Sequence, residues 1–254
     1  MRTAFITGAT SGFGRAIAFR LASLGYQLIV TGRRSERLDE LTKQLSTLHS
    51  TNVLSLCFDV QNNEACTKAI QSIPESFQPI DLLINNAGLA AGTLPFDKSD
   101  LADYDQMIDT NVKGLLYITK LIVPGMIEQK KGHIINLSSI AGIEVYPNGS
   151  VYCASKHAVN AITKGLRIDL LQYGIKVSSI SPGMAETEFS VIRFHGDEEK
   201  AKAVYNGLTP LNAEDIADTV EFIVTRPAHV SINDIQINPT QQANTYISHR
   251  TQIN

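Results

Sequence analysis

Short runs of β-branched and apolar residues alternate along the chain with longer stretches whose apolar positions recur at helical spacing. Thr3 to Thr7 is the first run. The turn Gly8-Ala9-Thr10-Ser11-Gly12-Phe13-Gly14 follows it, and then Ala16, Ile17, Phe19, Leu21 and Leu24, whose spacing predicts a helix. Gly25 closes that helix and Gln27 to Thr31 reads as the second strand. A charged helix from Ser35 to about Leu48 carries Leu38, Leu41, Leu45 and Leu48 on one side. Val53 to Phe58 is the third strand, a helix begins near Asn62, and Ile80 to Ile84 is the fourth strand. Strands and helices in strict alternation, joined by right-handed crossovers, predict a doubly wound parallel sheet with its ligand at the carboxyl ends of the strands.

The second half continues the pattern. A helix over Asp100 to Thr110 leads through Asn111 into a long helix to about Lys131, bent where Pro124 removes a hydrogen bond. The run from His133 to Ser139 is the fifth strand, Tyr152 to about Tyr173 a helix, and Ile175 to Ser181 the sixth strand. With 254 residues, 43% of them hydrophobic, and no repeat or linker, the chain has the substance for one domain with a full core. The expected class is therefore α/β, a single-domain Rossmann-type sheet with helices on both faces.

Charge and cysteine content narrow the function. A net charge of -3 offers no basic excess for nucleic acid, and no stretch is long and uncharged enough to span a bilayer. The N-terminus enters a strand without a signal-like core, so a cytoplasmic location is expected. Cys57, Cys66 and Cys153 lack Cys-x-x-Cys spacing and the six His residues lack ligand spacing, so neither a disulfide framework nor a metal site is expected.

The chemistry begins at the glycine turn, where Gly8, Gly12 and Gly14 permit tight turning and close approach of a pyrophosphate to a helix N-terminus. A plain glycine turn is the alternative. Arg33 and Arg34 follow the second strand, where an acid would bind a ribose 2'-hydroxyl and arginine accommodates a 2'-phosphate. They point to NADP(H) over NAD(H). Asp59 and Val60 lie where the adenine edge would be, and Asp59 is equally suited to cap the helix near Asn62. Asn85-Asn86-Ala87-Gly88 ends the fourth strand with small residues that admit a nucleotide. Asn111 in mid-helix marks either a boundary between two helices or a kink whose carbonyl holds a water.

Tyr152 and Lys156 stand four apart and so project from one helix face. A neighbouring cation favours the phenolate and lowers the phenol's ordinary pKa of about 10, which would let Tyr152 trade a proton near neutrality. The upstream hydroxyl of Ser139 could hold a substrate oxygen against it. A plain surface pair is the alternative reading of that spacing.

Taken together, Thr7-Gly8-x3-Gly12-x-Gly14, Asn85-Asn86-Ala87-Gly88, Asn111, Ser139, Tyr152-x3-Lys156 and Pro182-Gly183 resemble the successive motifs of the short-chain dehydrogenase/reductase family over essentially the whole chain. The segment Thr187 to Asp197 resembles the branch of NADP-dependent 3-hydroxy acid dehydrogenases that act on serine, allo-threonine and 3-hydroxypropionate or malonic semialdehyde. The resemblance implies that Tyr152 moves the proton, Lys156 lowers its pKa and holds the nicotinamide ribose, and Ser139 orients the substrate oxygen. It implies a relay water at Asn111, a nicotinamide positioned by Pro182, Gly183 and Thr187, and a helical substrate lid over about 186–210. Residues 1–110 would form the cofactor half and 111–254 the catalytic half of the one domain.

Two further expectations concern partners. The helices around Leu116, Ile118, Val123 and Ile127, and around Ala158, Ile162, Leu166 and Leu170, are apolar on more than one face, and with the family resemblance they suggest a homotetramer. Arg193, between Ile192 and Phe194, either meets a substrate carboxylate or pairs with Asp197 or Glu198. The leading function is an NADP(H)-dependent oxidoreductase of short 3-hydroxy acids. A 3-oxoacyl thioester or general carbonyl reductase shares every motif except the lid, and a non-catalytic NADPH sensor would be expected to lose the proton-transfer residues.

Overall fold

The computed structural model describes residues 1–251, whose strands are short and, apart from the last, predominantly apolar. The strands are β1 (Arg2–Ile6), β2 (Tyr26–Gly32), β3 (Val53–Cys57), β4 (Ile80–Asn85), β5 (Gly132–Leu137), β6 (Ile175–Pro182) and β7 (Asp234–Ile237). They form one parallel sheet in the order β3-β2-β1-β4-β5-β6-β7. The order reverses between β1 and β4, which opens a crevice at their carboxyl ends.

Alternation along the strands sorts residues onto two faces. Ala4, Ile6, Leu28, Val30, Leu82 and Ile84 pack against α1 (Gly12–Ser23), α2 (Ser35–His49) and α9 (Ala213–Val224). Phe5, Ile29, Leu83 and Ile134 point the other way, against α3 (Asn63–Gln71), α5 (Leu115–Glu128) and the end of α6 (Ser150–Asp169). The remaining helices are α4 (Leu101–Ile108), α7 (Glu188–Arg193) and α8 (Glu198–Ala203). The last two are short and lie between β6 and α9, beside the carboxyl ends of the strands. No helix among the described residues is long and apolar enough to cross a membrane.

Several boundaries differ from the sequence expectation for physical reasons. Asn111 separates two helices by a π-helical segment, Asp109–Gly114, and Pro124 lies inside α5, which ends at Glu128. The helix through Tyr152 stops at Asp169, and a 3-10 turn over Leu171–Tyr173 leads to Gly174 at φ 69°. On the helices expected to be apolar on more than one face, Ile118 and Leu170 are buried within the subunit, while Leu116, Ile168 and, just beyond α6, Leu171 are exposed.

Candidate active site

The glycine turn folds as its composition demands. Gly14 sits so close to the Gly8 carbonyl and the Asn86 side chain that a Cβ there would collide with both. Gly12 has φ +48°, and a Cβ on it would meet Thr187 at 3.3 Å. The turn delivers the chain to the N-terminus of α1, where Ser11 makes no side-chain cap and leaves the first N–H groups open. Asn86 braces this arrangement, because its Nδ2 donates to the Thr7 and Gly8 carbonyls at 2.9 and 3.0 Å. Its side chain is thus committed to the turn. A cavity of about 390 Å³ runs over these residues and past Arg33, Arg34, Asp59 and Val60 to Lys156.

At the far end of the cavity the arginines have partners. Arg33 meets Asp59 at 3.4 Å, and Asp59 also accepts from the Gln61 N–H at 3.0 Å. Asp59 therefore does not cap α3; Asn62 does, accepting from the Ala65 N–H at 3.0 Å. Arg34 donates to Thr10 and Ser11, each at 3.0 Å, and to Glu188 at 3.0 Å. Arg37, one helical turn on, pairs with the other Glu188 oxygen. Burial works to raise the Glu188 pKa, yet Arg37, Arg34 and Ser11 together hold it below the usual carboxylate range.

A second cavity, of about 240 Å³, adjoins the first at Phe13, Ser138, Tyr152, Thr187 and Phe189. Tyr152 and Lys156 are both buried on the first turns of α6; Tyr152 stands at the junction and Lys156 lines the larger cavity. Lys156 Nζ donates to the Leu137 carbonyl at 2.9 Å and lies 5.9 Å from the centre of the Tyr152 ring. Burial lowers its pKa to about 8. The same burial raises the Tyr152 phenol above its ordinary value, as does Tyr146, against the opposing pull of Ser139 and Arg193. The expected lowering of the phenol by Lys156 is therefore overridden here, since desolvation disfavours both charged forms. Ser139, after β5, accepts from the Ala141 N–H at 3.1 Å and faces the same cavity.

Asn111 is buried and contacts the site indirectly. Its Oδ1 accepts from the Leu89 N–H and its Nδ2 donates to the Leu89 carbonyl, both at 2.8 Å, with a second donation to Ser155 Oγ at 3.0 Å. It clamps the loop after β4 to the helix that carries Tyr152 and Lys156. The π segment is the winding that turns Asn111 toward Leu89, and such segments recur at functional sites.

Helix α7 closes the other side. Thr187 caps it by accepting from the Phe189 N–H at 3.2 Å, and Phe189 meets Tyr152 edge-on with ring centres 5.7 Å apart. Arg193 forms no ion pair with Asp197 or Glu198; Asp197 instead caps α8 and pairs with Lys200 at 2.9 Å. The guanidinium lies 5.4 Å from the Tyr146 ring centre, lines the second cavity, and carries a buried Nε that has no hydrogen-bond partner among the described residues. The local pairing considered from sequence is thus absent.

The strands, the glycine turn and the Tyr152 helix together fix the family. A model of the short chain dehydrogenase family matches residues 2–197. The chain belongs to the short-chain dehydrogenase family. It is 47% identical to a probable NADP-dependent dehydrogenase of Haemophilus influenzae, over 95% of this chain and 94% of that protein. It is also 47% identical to sulfoacetaldehyde reductase 2 of Chromohalobacter salexigens, over 94% of each chain. Among solved structures, the closed form of serine dehydrogenase complexed with NADP+ superposes with a TM-score of 0.93 at 41% identity, covering 98% of this chain and all of that one. Arg37, Tyr146, Phe189, Gln242 and Thr245 were not anticipated from the sequence. Arg37 alone had a signal there, since it stands one turn after Arg34.

Proposed function

We propose that this short-chain dehydrogenase is an NADP(H)-dependent oxidoreductase that interconverts an alcohol and a carbonyl on short acids such as serine, allo-threonine or 3-hydroxypropionate. The observation that carries it is the junction of the two cavities at Tyr152, with the Arg193 guanidinium in the wall of the smaller one. The cradle fits the cofactor: a glycine turn that a Cβ would block, an open helix N-terminus, and arginines after β2. Gly8 to Gly14 would hold the pyrophosphate, Arg34 the 2'-phosphate, and Pro182, Gly183 and Thr187 the nicotinamide side. When bound, the nicotinamide supplies or takes the hydride. Tyr152 Oη gives its proton to the carbonyl oxygen in reduction and takes the hydroxyl proton in oxidation. Ser139 Oγ orients that oxygen, Lys156 sets positive charge near the phenol and holds the ribose, and the Asn111 carbonyl in the π segment anchors a relay water.

A buried anion needs a cation, and Arg193 offers a donor without a partner, which favours a hydroxy acid over a neutral carbonyl compound. Both carboxylate and sulfonate suit a guanidinium. The test is turnover of serine, allo-threonine, 3-hydroxypropionate, sulfoacetaldehyde and an acetoacetyl thioester with NADP(H) and NAD(H). Preference for the thioester, or for NAD(H), would overturn the reading. Residues 186–210 form the lid over the substrate. Exposed Leu116, Ile168 and Leu171 support assembly into a homotetramer, to be checked by light scattering, and the free thiols of Cys57, Cys66 and Cys153 suit the reducing cytoplasm.

A further inference from the structure

Glu188 occupies an unusual position for a carboxylate. It is the first residue of α7, it bridges the guanidinium groups of Arg34 and Arg37, and it does so beside the Thr10 and Ser11 hydroxyls that Arg34 also holds. These are the donors that a phosphate monoester on the adenosine ribose would use. The nearby Arg33 is matched by Asp59, so the Arg34, Arg37 and Glu188 cluster carries a formal charge of about +1, too little for both a carboxylate and a phosphate dianion to be neutralised.

Accepting the reading that the cleft takes a 2'-phosphorylated dinucleotide, we infer that Glu188 is an internal competitor for the arginines that read the 2'-phosphate, and that it ties this recognition to the placement of the lid. A phosphate that takes the Arg34 and Arg37 donors deprives Glu188 of its partners and repels it. The first turn of α7 is thereby freed from the cleft wall. The coupling is short, because the next residue, Phe189, rests against the Tyr152 ring, and Arg193 at the other end of the helix lies over Tyr146. A dinucleotide with a bare 2'-hydroxyl cannot displace a carboxylate from two guanidiniums and leaves the helix tethered. Glu188 is thus a specificity-determining residue: it weakens binding of the phosphorylated cofactor somewhat and makes lid release depend on the phosphate.

The charge alone is removed by Glu188→Gln, a substitution at a partly exposed position whose folding is checked by circular dichroism and Tm. Titration of the full-length protein should show NADPH bound about fivefold to twentyfold more tightly by the variant, the size expected for two partly exposed ion pairs, with NADH changed less than twofold. Adenosine 2',5'-bisphosphate and 5'-AMP then probe the phosphate without the nicotinamide. In the unaltered protein the bisphosphate should speed tryptic cleavage at Arg193, Lys200 and Lys202 and 5'-AMP should not; in the variant cleavage should be fast with either nucleotide or none. Unchanged or weaker NADPH binding by Glu188→Gln would overturn the competitor role, and cleavage in the unaltered protein that ignores the bisphosphate would overturn the link to the lid. If the unaltered protein binds NADH as tightly as NADPH, the cofactor reading itself has failed, and this outcome is distinct from the other two.

Discussion

Lys156 Nζ lies 5.9 Å from the centre of the Tyr152 ring and donates to the Leu137 carbonyl at 2.9 Å, so among the described residues it is bonded to the strand end and not to the phenol. Both groups are buried, and burial pushes Lys156 down to about 8 and Tyr152 above its ordinary value. At pH 7 the phenol therefore holds its proton, which under the proposed reading suits carbonyl reduction, while alcohol oxidation would have to wait for its loss. The kcat/KM for oxidation is expected to climb between pH 7 and pH 10 while that for reduction stays level or falls. A flat oxidation profile from pH 7 to 9 would mean that the phenolate is already formed.

Removing the transferable proton tests the same group more directly. Tyr152→Phe keeps the ring against Phe189 and is expected to lose a hundredfold or more in kcat in both directions, with NADPH affinity nearly unchanged. Activity above about a tenth of the original would contradict the role.

Arg193 carries the substrate's charge under the proposed reading. Arg193→Met retains an apolar stem over Tyr146 and is expected to raise KM about tenfold for a carboxylated substrate while sparing a neutral alcohol of similar size. Equal losses on both would make Arg193 a shaper of the lid.

His133 links the fold to acidity. It sits on β5, with Nε2 2.8 Å from the Ser178 hydroxyl, and burial, aided by Lys176, lowers its pKa to about 4. The neutral ring is favoured in the folded chain, so its contribution is complete above pH 6.5 and is lost as the pH falls through about 4. The full loss is worth about 3 kcal/mol. Urea unfolding at pH 7, 5.5 and 4.5 should show the decline, and His133→Gln should have a shallower dependence; an identical slope in the variant would assign the effect to carboxylates.

The first six strands were legible because each is a short apolar run closed by turn residues, and the proximity of Tyr152 and Lys156 because the two share one helix face. β7 was not, since it is four residues long, partly exposed, and half polar at the sheet edge. Nor did sequence separate the fates of Arg33 and Arg34, because Asp59 and Glu188 reach them from distant parts of the chain. The balance between Lys156 and Tyr152 was equally hidden: spacing shows that two groups are near, whereas their pKa values depend on how much water reaches them. Arg193 was ambiguous for the opposite reason. Its local partners are visible in sequence, and only the fold shows that Asp197 has turned to Lys200.

Each α-helical residue advances the winding by about 100°, so the wider segment at Asp109–Gly114 sets the angular phase between Met107 before it and Ile118 after it. The wider turn takes up one residue more than ordinary winding would, and inserting a further residue at ordinary winding would rotate all 14 residues of α5 by about 100°, carrying Ile118, Ile122 and Met126 off the sheet. A substitution in the segment disturbs one contact, while a change of length rephases a helix. The two helices are geared to each other through this stretch, and its residue count is fixed more strictly than most of its side chains.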